Sequence, residues 1–442
     1  MTLMERKQVE AESSLKTRPL RIGMFSESFH PVQNGVTTSV RTLISELRRY
    51  GHHVWVFAPE HQDQPEHETN VVRFPSFVTQ FNPEYPLAYP FIPRIKLASQ
   101  IERLKLDVIH THTPFVLGLT GADLAIRRRI PLVSTFHTLY SEYSHYVKFL
   151  PEAFTQGLLE AYLPWYYNRC ATVICPSQAT AGHLRETGVE SHLEIVPTGI
   201  PCPPPEAIDS LAQYTVRLRL GITETTPLLL YAGRLAPEKQ IGWLLETFQR
   251  VCDQVPDVVL ALAGSGPMLD ELKAIAKALN IEHRTRFLGP VPRTEMDAIY
   301  ATADLFVFPS PSETQGLVIG EARAAGTPAV VVDAGGAPET VKHGIDGFRI
   351  REGDRDGFAN TITELLRDRK LLGCISARAR ENAVEQSPSH MTAIVLGIYE
   401  RARQLAAVLP VSDGLPGVDA SVTEPQQTRR AVVLTETDEM RM

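Results

Sequence analysis

The sequence predicts an α/β protein built from two doubly wound parallel sheets that face each other across a cleft. Three observations carry this. Short apolar runs of strand length alternate with helical periodicity along most of the chain, the arrangement that pairs strands in parallel. Strand runs such as Leu228-Leu229-Leu230-Tyr231-Ala232 and Leu305-Phe306-Val307-Phe308 are apolar at every position rather than at every second one, so both faces must be covered. A proline cluster, Pro201 and Pro203 to Pro205, interrupts the alternation near the middle; it removes backbone donors and disfavours helix in each preceding residue.

In chain order, residues 1–18 carry Glu5, Arg6, Lys7, Glu10, Glu12 and Lys16 without an apolar core, which predicts a mobile leader and not a signal peptide of the usual form. Leu20 to Phe25 is the first strand, and Ser26 to Asn34 a loop. Gly35 opens a helix that runs to Arg49. Gly51 to Pro59 is the second strand and the polar stretch through Asn70 a surface loop. Strands continue at Leu106–Thr111, Pro131–Phe136, Ala171–Cys175 and Leu193–Val196, giving a first domain over 19–200.

Residues 201–226 form the linker region. Strands restart at Pro227–Ala232, Val258–Ala263, Thr285–Leu288, Asp304–Phe308 and Ala329–Val332 within a second domain, 227–388. Helical periodicity covers Arg355 to Ala407, and 389–409 reads as a C-terminal helix returning toward the first domain. The Pro, Gly, Ser, Thr and acidic content of 410–442 reads as a disordered tail.

At 442 residues and 43% hydrophobic content the chain has material for two sizeable cores. A net charge of −7 provides no global basic field for nucleic acid. Five cysteines, odd in number and without C-x-x-C spacing, are expected as reduced packing residues in a cytoplasmic protein.

The chemistry concentrates on Pro309 to Gly326. Pro309 and Pro311 end a buried strand, and Leu317, Val318, Ala322 and Ala325 recur at helical spacing beyond Gly316. First-turn N–H groups near Gly316 to Val318 are suited to a phosphate, with Gly316 allowing close backbone approach. Glu313 lies in the loop and Glu321 eight positions on in the helix. Acids beside a phosphate site need another task, and accepting hydrogen bonds from sugar hydroxyls is one. The alternatives are a helix-terminus acid for Glu313 and a solvated helix residue for Glu321.

Arg234 and Lys239 leave the carboxyl end of another strand after Gly233, a guanidinium and an ammonium suited to a diphosphate whose charge rises as a bond breaks. Gly264 and Gly266 close the next strand and are candidates to admit a base or ribose. The dinucleotide fingerprint is absent there, because no third glycine opens the helix. Asp354-Arg355-Asp356 is expected to cap a helix and not to hold a metal, and no metal is predicted. His110, His112 and His137 all lie at strand ends; His137 is selected as a cleft-wall donor to a sugar hydroxyl or leaving oxygen.

Together these residues resemble the family 4 glycosyltransferases of the GT-B fold, whose two domains are Rossmann-like, over about residues 19 to 407. The resemblance rests on Gly35 after Ser26-Glu27-Ser28-Phe29, on His137, on Gly233-Arg234 through Lys239, on Gly264-Ser265-Gly266, and on the E-x7-E of Glu313 and Glu321. It implies a nucleotide diphosphate sugar as donor substrate, no required cofactor, and retention of the α configuration. Arg234 and Lys239 would bind diphosphate, Glu313 the donor sugar, Glu321 the ribose, Gly35 the phosphate region, and His137 would lie beside the sugar.

Pro197-Thr198-Gly199-Ile200 departs from the family's frequent P-N-G-I. The stretches His110 to Phe115 and Phe136 to Tyr146 look most like enzymes that glycosylate diacylglycerol or related lipids, which implies a hexose from UDP-glucose or GDP-mannose and a lipid acceptor. A soluble sugar or polysaccharide acceptor, a nucleotide-sugar epimerase and a non-catalytic nucleotide-sugar sensor are the alternatives. Ile92, Ile95, Leu97, Ile101 and Leu104 with Arg94, Lys96, Arg103 and Lys105, joined by Arg127, Arg128 and Arg129, form a candidate surface for peripheral docking on the anionic inner face of a membrane. The same apolar residues could equally pack on the domain's own sheet. Tyr140, Tyr143 and Tyr146 are candidates to line an acceptor groove.

Overall fold

The computed structural model describes residues 18–79, 82–89, 101–139, 152–204 and 207–408. Its strands are β1 (Arg21–Phe25), β2 (His53–Pro59), β3 (Val71–Phe74), β4 (Ser76–Thr79), β5 (Asn82–Ala88), β6 (Val108–Thr111), β7 (Leu132–Thr135), β8 (Thr172–Cys175) and β9 (Leu193–Ile195), then β10 (Leu228–Ala232), β11 (Val259–Ala263), β12 (Thr285–Gly289), β13 (Leu305–Phe308), β14 (Ala329–Val332) and β15 (Gly347–Ile350). One sheet has the order β3-β2-β1-β6-β7-β8-β9 and the other β12-β11-β10-β13-β14-β15. Every pairing within these two sheets is parallel. In each, the strand order reverses beside the first strand of its half, between β1 and β6 and between β10 and β13. An open α/β sheet leaves its ligand crevice at the carboxyl ends of the strands at such a switch point.

The helices that cover the sheets are α1 (Gly35–Arg49), α2 (Val116–Arg128), α3 (Glu152–Tyr167), α4 (Gln178–Glu186), α5 (Ser210–Leu220), α6 (Ile241–Gln254), α7 (Leu269–Ala278), α8 (Arg293–Thr302), α9 (Leu317–Ala324), α10 (Arg355–Arg367), α11 (Arg369–Ala383) and α12 (Pro388–Val408). The fully apolar strands are fully buried: β10, β11, β13 and β14 have no exposed position, and β6, β7 and β8 are buried throughout as well although they carry His110, Thr111, Ser134, Thr135 and Thr172. Four strands, β3, β4, β5 and β15, fall where none is predicted from the sequence. Gly347-Phe348-Arg349-Ile350 is an edge strand with one exposed and one half-exposed position, β3 is a short edge strand, and β5 pairs with β4 although it contains Pro83 and Pro86. Edge positions tolerate glycine, proline and charge, so they lack the dense apolar run that marks a central strand.

Met391, Val395, Leu396, Ile398, Tyr399 and Ala402 of α12 lie in one hydrophobic cluster with Val40, Ile44 and Leu47 of α1 and with Ile22 and Val54 of the first sheet. The chain therefore crosses between the halves twice. At the crossing, Ile200 N donates to Gln386 O at 2.7 Å, and a Cβ on Gly199 would stand 2.5 Å from Pro388 Cα.

Asp354 caps α10 by accepting from Gly357 N at 2.8 Å. The five cysteines are free, and Cys170 and Cys175 are buried. Cys202 and Cys374 are exposed, which corrects the expectation that all five pack in the interior. Cys202 lies among prolines that cannot continue an element into the core, and Cys374 sits on the solvent side of α11. The leader through Thr17 and residues 409–442 lie outside the described residues, as do Ile92, Arg94, Ile95, Lys96, Leu97, Tyr140, Tyr143 and Tyr146.

Candidate active site

Strand ends from both halves meet at the cleft. From the second half, β10 runs into Gly233 and Arg234, and β13 runs into Pro309 to Gly316. Arg234 is exposed, and Lys239 is half-buried. Lys239 Nζ lies 2.6 Å from Glu313 Oε1, so the loops after two adjacent strands are tied by an ion pair with both side chains less than one-fifth exposed. An ammonium has three donors, and this one can hold Glu313 while meeting a phosphate oxygen.

Gly316 is the N-cap of α9 with φ of 76°, and a Cβ there would stand 2.7 Å from Ile319 Cδ1. That left-handed residue swings the chain from the loop into the helix whose first residues are Leu317 and Val318. Opposite it, α1 begins at Gly35 after its cap Asn34, whose side chain accepts from Thr37 N at 2.8 Å. A Cβ on Gly35 would lie 3.7 Å from Leu317 Cδ1, which places the starts of α1 and α9 face to face across the cleft.

Glu321 Oε2 accepts from Tyr300 OH at 2.9 Å, and Arg293 Nη2 lies 3.6 Å from its other oxygen. Its side chain is 11% exposed. Burial raises the carboxyl above its ordinary range, while Arg293 and the Tyr300 hydrogen bond oppose that shift. The solvated-helix alternative for Glu321 is thereby excluded. Neither Arg293 nor Tyr300 carries a sequence signal, because both belong to α8, which meets α9 only through packing.

Gly264 and Gly266 also have a packing role. A Cβ on Gly264 would stand 1.9 Å from Gly233 O and one on Gly266 2.3 Å from Leu235 O. Leu235 N donates to Ser265 O at 2.9 Å. Their missing side chains let the Gly264–Gly266 loop lie directly on the Gly233–Leu235 loop, which fixes the backbone that presents Arg234. Gly233 itself has φ of 151°.

From the first half, β7 runs into His137. Thr314 Oγ1, next to Glu313, donates to His137 O at 3.1 Å. One residue further, Gln315 accepts from Thr198 N at 2.8 Å and donates to Thr198 O at 3.2 Å. Thr198 Oγ1 in turn donates to Ser39 Oγ at 2.9 Å. The threonine that replaces the family's frequent asparagine is thus a hinge contact, with the Glu313 loop clamped to the opposite half at two points. Glu339, from the second half, accepts from Gln178 N and Ala179 N at 2.6 and 2.8 Å, the first turn of α4.

The three histidines do converge. His112 Nδ1 and His137 Nε2 are 3.0 Å apart, and the His110 and His112 rings lie against each other with centroids 4.1 Å apart and planes inclined by 35°. Burial pushes His137 down to about 4 and His110 to about 3. All three are neutral near pH 7. Among the described residues no cluster of His, Cys, Asp or Glu is arranged to hold a metal.

Ile101 and Leu106 are buried and Leu104 packs against the same cluster, so the described end of the candidate docking stripe faces the domain's own core. Arg127 pairs with Asp123 at 2.9 Å and Arg128 with Glu102 at 2.5 Å on the surface. Among the described residues no helix is long and apolar enough to cross a membrane.

Two facing α/β halves with parallel sheets, the second carrying acid–cation pairs at and near its strand ends, give the architecture of the GT-B fold. Models of the glycosyl transferases group 1 and of glycosyltransferase family 4 match residues 215–383 and 33–202. The alpha-monoglucosyldiacylglycerol synthase of Streptococcus pneumoniae is 34% identical over 70% of this chain and 70% of its own. That of Acholeplasma laidlawii is 32% identical over 71% of this chain and 80% of its own. The structure of Anabaena HepE in complex with UDP superposes with a TM-score of 0.69 at 22% identity, covering 86% of this chain and 99% of that one. The chain belongs to the family 4 glycosyltransferases, and it is a glycosyltransferase.

Proposed function

We propose that this enzyme transfers a hexose from UDP-glucose or GDP-mannose to the hydroxyl of a lipid acceptor such as diacylglycerol, with retention at the anomeric carbon. The observation that carries the reading is the Lys239–Glu313 pair, which brings a phosphate-type cation and a sugar-type acid to one point beside Arg234. In this reading the bond from the anomeric carbon to the diphosphate breaks toward Arg234 and Lys239, which compensate the charge gathering on the leaving oxygen. The acceptor oxygen forms the new bond on the same face, and its proton passes to the leaving diphosphate. Glu313 holds a donor-sugar hydroxyl, Glu321 the ribose hydroxyls, and neutral His137 donates to the sugar. Gly35 and the α9 start, Gly316 to Val318, address the phosphates from either wall.

The lipid acceptor is supported by two relatives named for monoglucosyldiacylglycerol synthesis. Leu119 and Ile126, spaced seven apart on α2, are exposed apolar residues on the helix that ends in Arg127 and Arg128, and Leu158 and Trp165 of α3 are 57% and 48% exposed. That combination suits peripheral binding to the anionic cytoplasmic face of a membrane. The test is a donor-by-acceptor screen with UDP-glucose and GDP-mannose, with and without diacylglycerol in anionic vesicles, with product stereochemistry read by NMR. An α-hexosyl lipid is the expected product. A β linkage from an α donor overturns retention, and transfer only to soluble sugars overturns the lipid acceptor. Epimerisation without acceptor, or tight binding without turnover, overturns transfer itself.

A further inference from the structure

His137 does not stand alone at the cleft wall. His112 Nδ1 is 3.0 Å from His137 Nε2, and behind it His110 is fixed at both nitrogens. His110 Nδ1 lies 2.7 Å from Tyr399 OH of α12, and its Nε2 2.7 Å from Thr135 Oγ1. His112 is 1% exposed, and its Nε2 is buried with no hydrogen-bond partner among the described residues.

Burial holds His112 well below its usual range, so His112 and His137 meet as two neutral imidazoles. Each ring then carries one N–H, and a single proton lies between Nδ1 and Nε2. If His137 supplied it, the proton of His112 would sit on Nε2, a buried N–H without acceptor. Orphaned buried N–H groups are among the rarest features of folded proteins, whereas an unfilled lone pair is less costly. The hydrogen bond therefore runs from His112 Nδ1–H to His137 Nε2. The proton of His137 is left on Nδ1, the nitrogen that His112 does not occupy.

We propose that His112 is a positioning residue for His137: by donating to Nε2 it fixes the Nδ1–H tautomer, so that His137 offers a hydrogen-bond donor and not a lone pair to the substrate. The last step rests on the reading of His137 as a donor-sugar contact. His112 packs against the doubly anchored His110 at a centroid distance of 4.1 Å and is itself stacked on His137 at 5.3 Å, so the anchored ring limits the orientation of the pair. The relationship makes α12, through Tyr399, the far support of a chain of ring contacts that ends at His137.

The tautomer is read directly by long-range nitrogen–proton NMR on the full-length chain labelled at its histidine rings, with His137 assigned by substitution. The wild type is expected to show His137 as Nδ1–H. His112→Leu is expected to release it to the Nε2–H form and to lower kcat about tenfold, one hydrogen bond's worth, with the donor KM nearly unchanged. His112→Asn, whose amide nitrogen reaches about the place of Nδ1, is expected to restore both tautomer and turnover, and His112→Gln neither. An Nε2–H tautomer in the wild type, which needs no variant to fold, overturns the proposal, and so does an unchanged tautomer in folded His112→Leu. A shifted tautomer with unchanged turnover upholds the positioning of the ring and overturns the assignment of His137 to the sugar, which loss of activity in His137→Ala tests separately.

Discussion

Lys239 Nζ and Glu313 Oε1 are 2.6 Å apart although 74 positions separate them in the chain. The pair links the loop that leaves β10 to the loop that leaves β13, the two strands at which the second sheet reverses its order. Replacing Lys239 with Ala is expected to remove both a charge for the leaving diphosphate and the tether on Glu313. Turnover should fall about a hundredfold, the scale of one lost charge-stabilising donor, and Arg234→Ala should lose a similar factor. Donor affinity should change far less in both. Stopped-turnover assays beside calorimetric donor binding separate the two effects, and a wild-type kcat in Arg234→Ala would remove that residue from the mechanism.

Glu321 and Tyr300 give a graded pair. Glu321→Gln replaces a charged acceptor for the ribose by an amide and is expected to weaken donor binding by about 1–3 kcal/mol. Tyr300→Phe leaves the carboxylate charged and removes only the hydroxyl that orients it, so its loss should be the smaller. Calorimetric titration with the nucleoside diphosphate alone is sufficient, and equal affinity in Glu321→Gln and wild type refutes the ribose contact.

Tyr399→Phe removes the hydroxyl that meets His110 Nδ1 while keeping the ring in its cluster with α1. The buried imidazole nitrogen then loses its partner, at an expected cost of about 1–3 kcal/mol in urea unfolding. An unchanged midpoint would mean that the contact contributes nothing net.

The response to acid follows from two opposing sets of groups. His110 and His137 are pushed down from 6.5 to about 3 and about 4, and His112 also lies well below 6.5. As pH falls below 6.5 the unfolded chain takes up protons that the folded chain refuses, and stability is lost. Glu27 acts the other way, since burial raises its carboxyl from 4.5 to about 7 and the folded chain keeps a proton there that the unfolded chain releases. Its contribution is present at low pH and is lost as pH rises toward 7. Burial likewise raises Glu321 and lowers His30 and His52, so five histidines stand against two acids and the urea midpoint should fall from pH 6.5 to 5. Glu27→Gln should steepen that fall, and a midpoint that rises on acidification contradicts the assignment of the histidines.

The sequence by itself determined the central strands of the second sheet, because an apolar run of strand length needs cover on both faces, and β10, β11, β13 and β14 are written that way. It also marked Gly316, where a left-handed turn leaves few residue choices, and the proline crossing at Pro201. Edge strands such as Gly347–Ile350 were not legible, since an exposed edge demands little of its side chains. Only the tertiary structure decided which charged and polar groups meet. Nothing local ties Thr314 to His137, Gln315 to Thr198, Arg293 to Glu321, or Tyr399 to His110. Gly264 and Gly266 make the same point, for nothing local shows that the space of their missing side chains is taken by the backbone of Gly233 and Leu235. Local pattern encodes how much of a residue is buried and in which element; the partner it meets there depends on how remote elements close on one another.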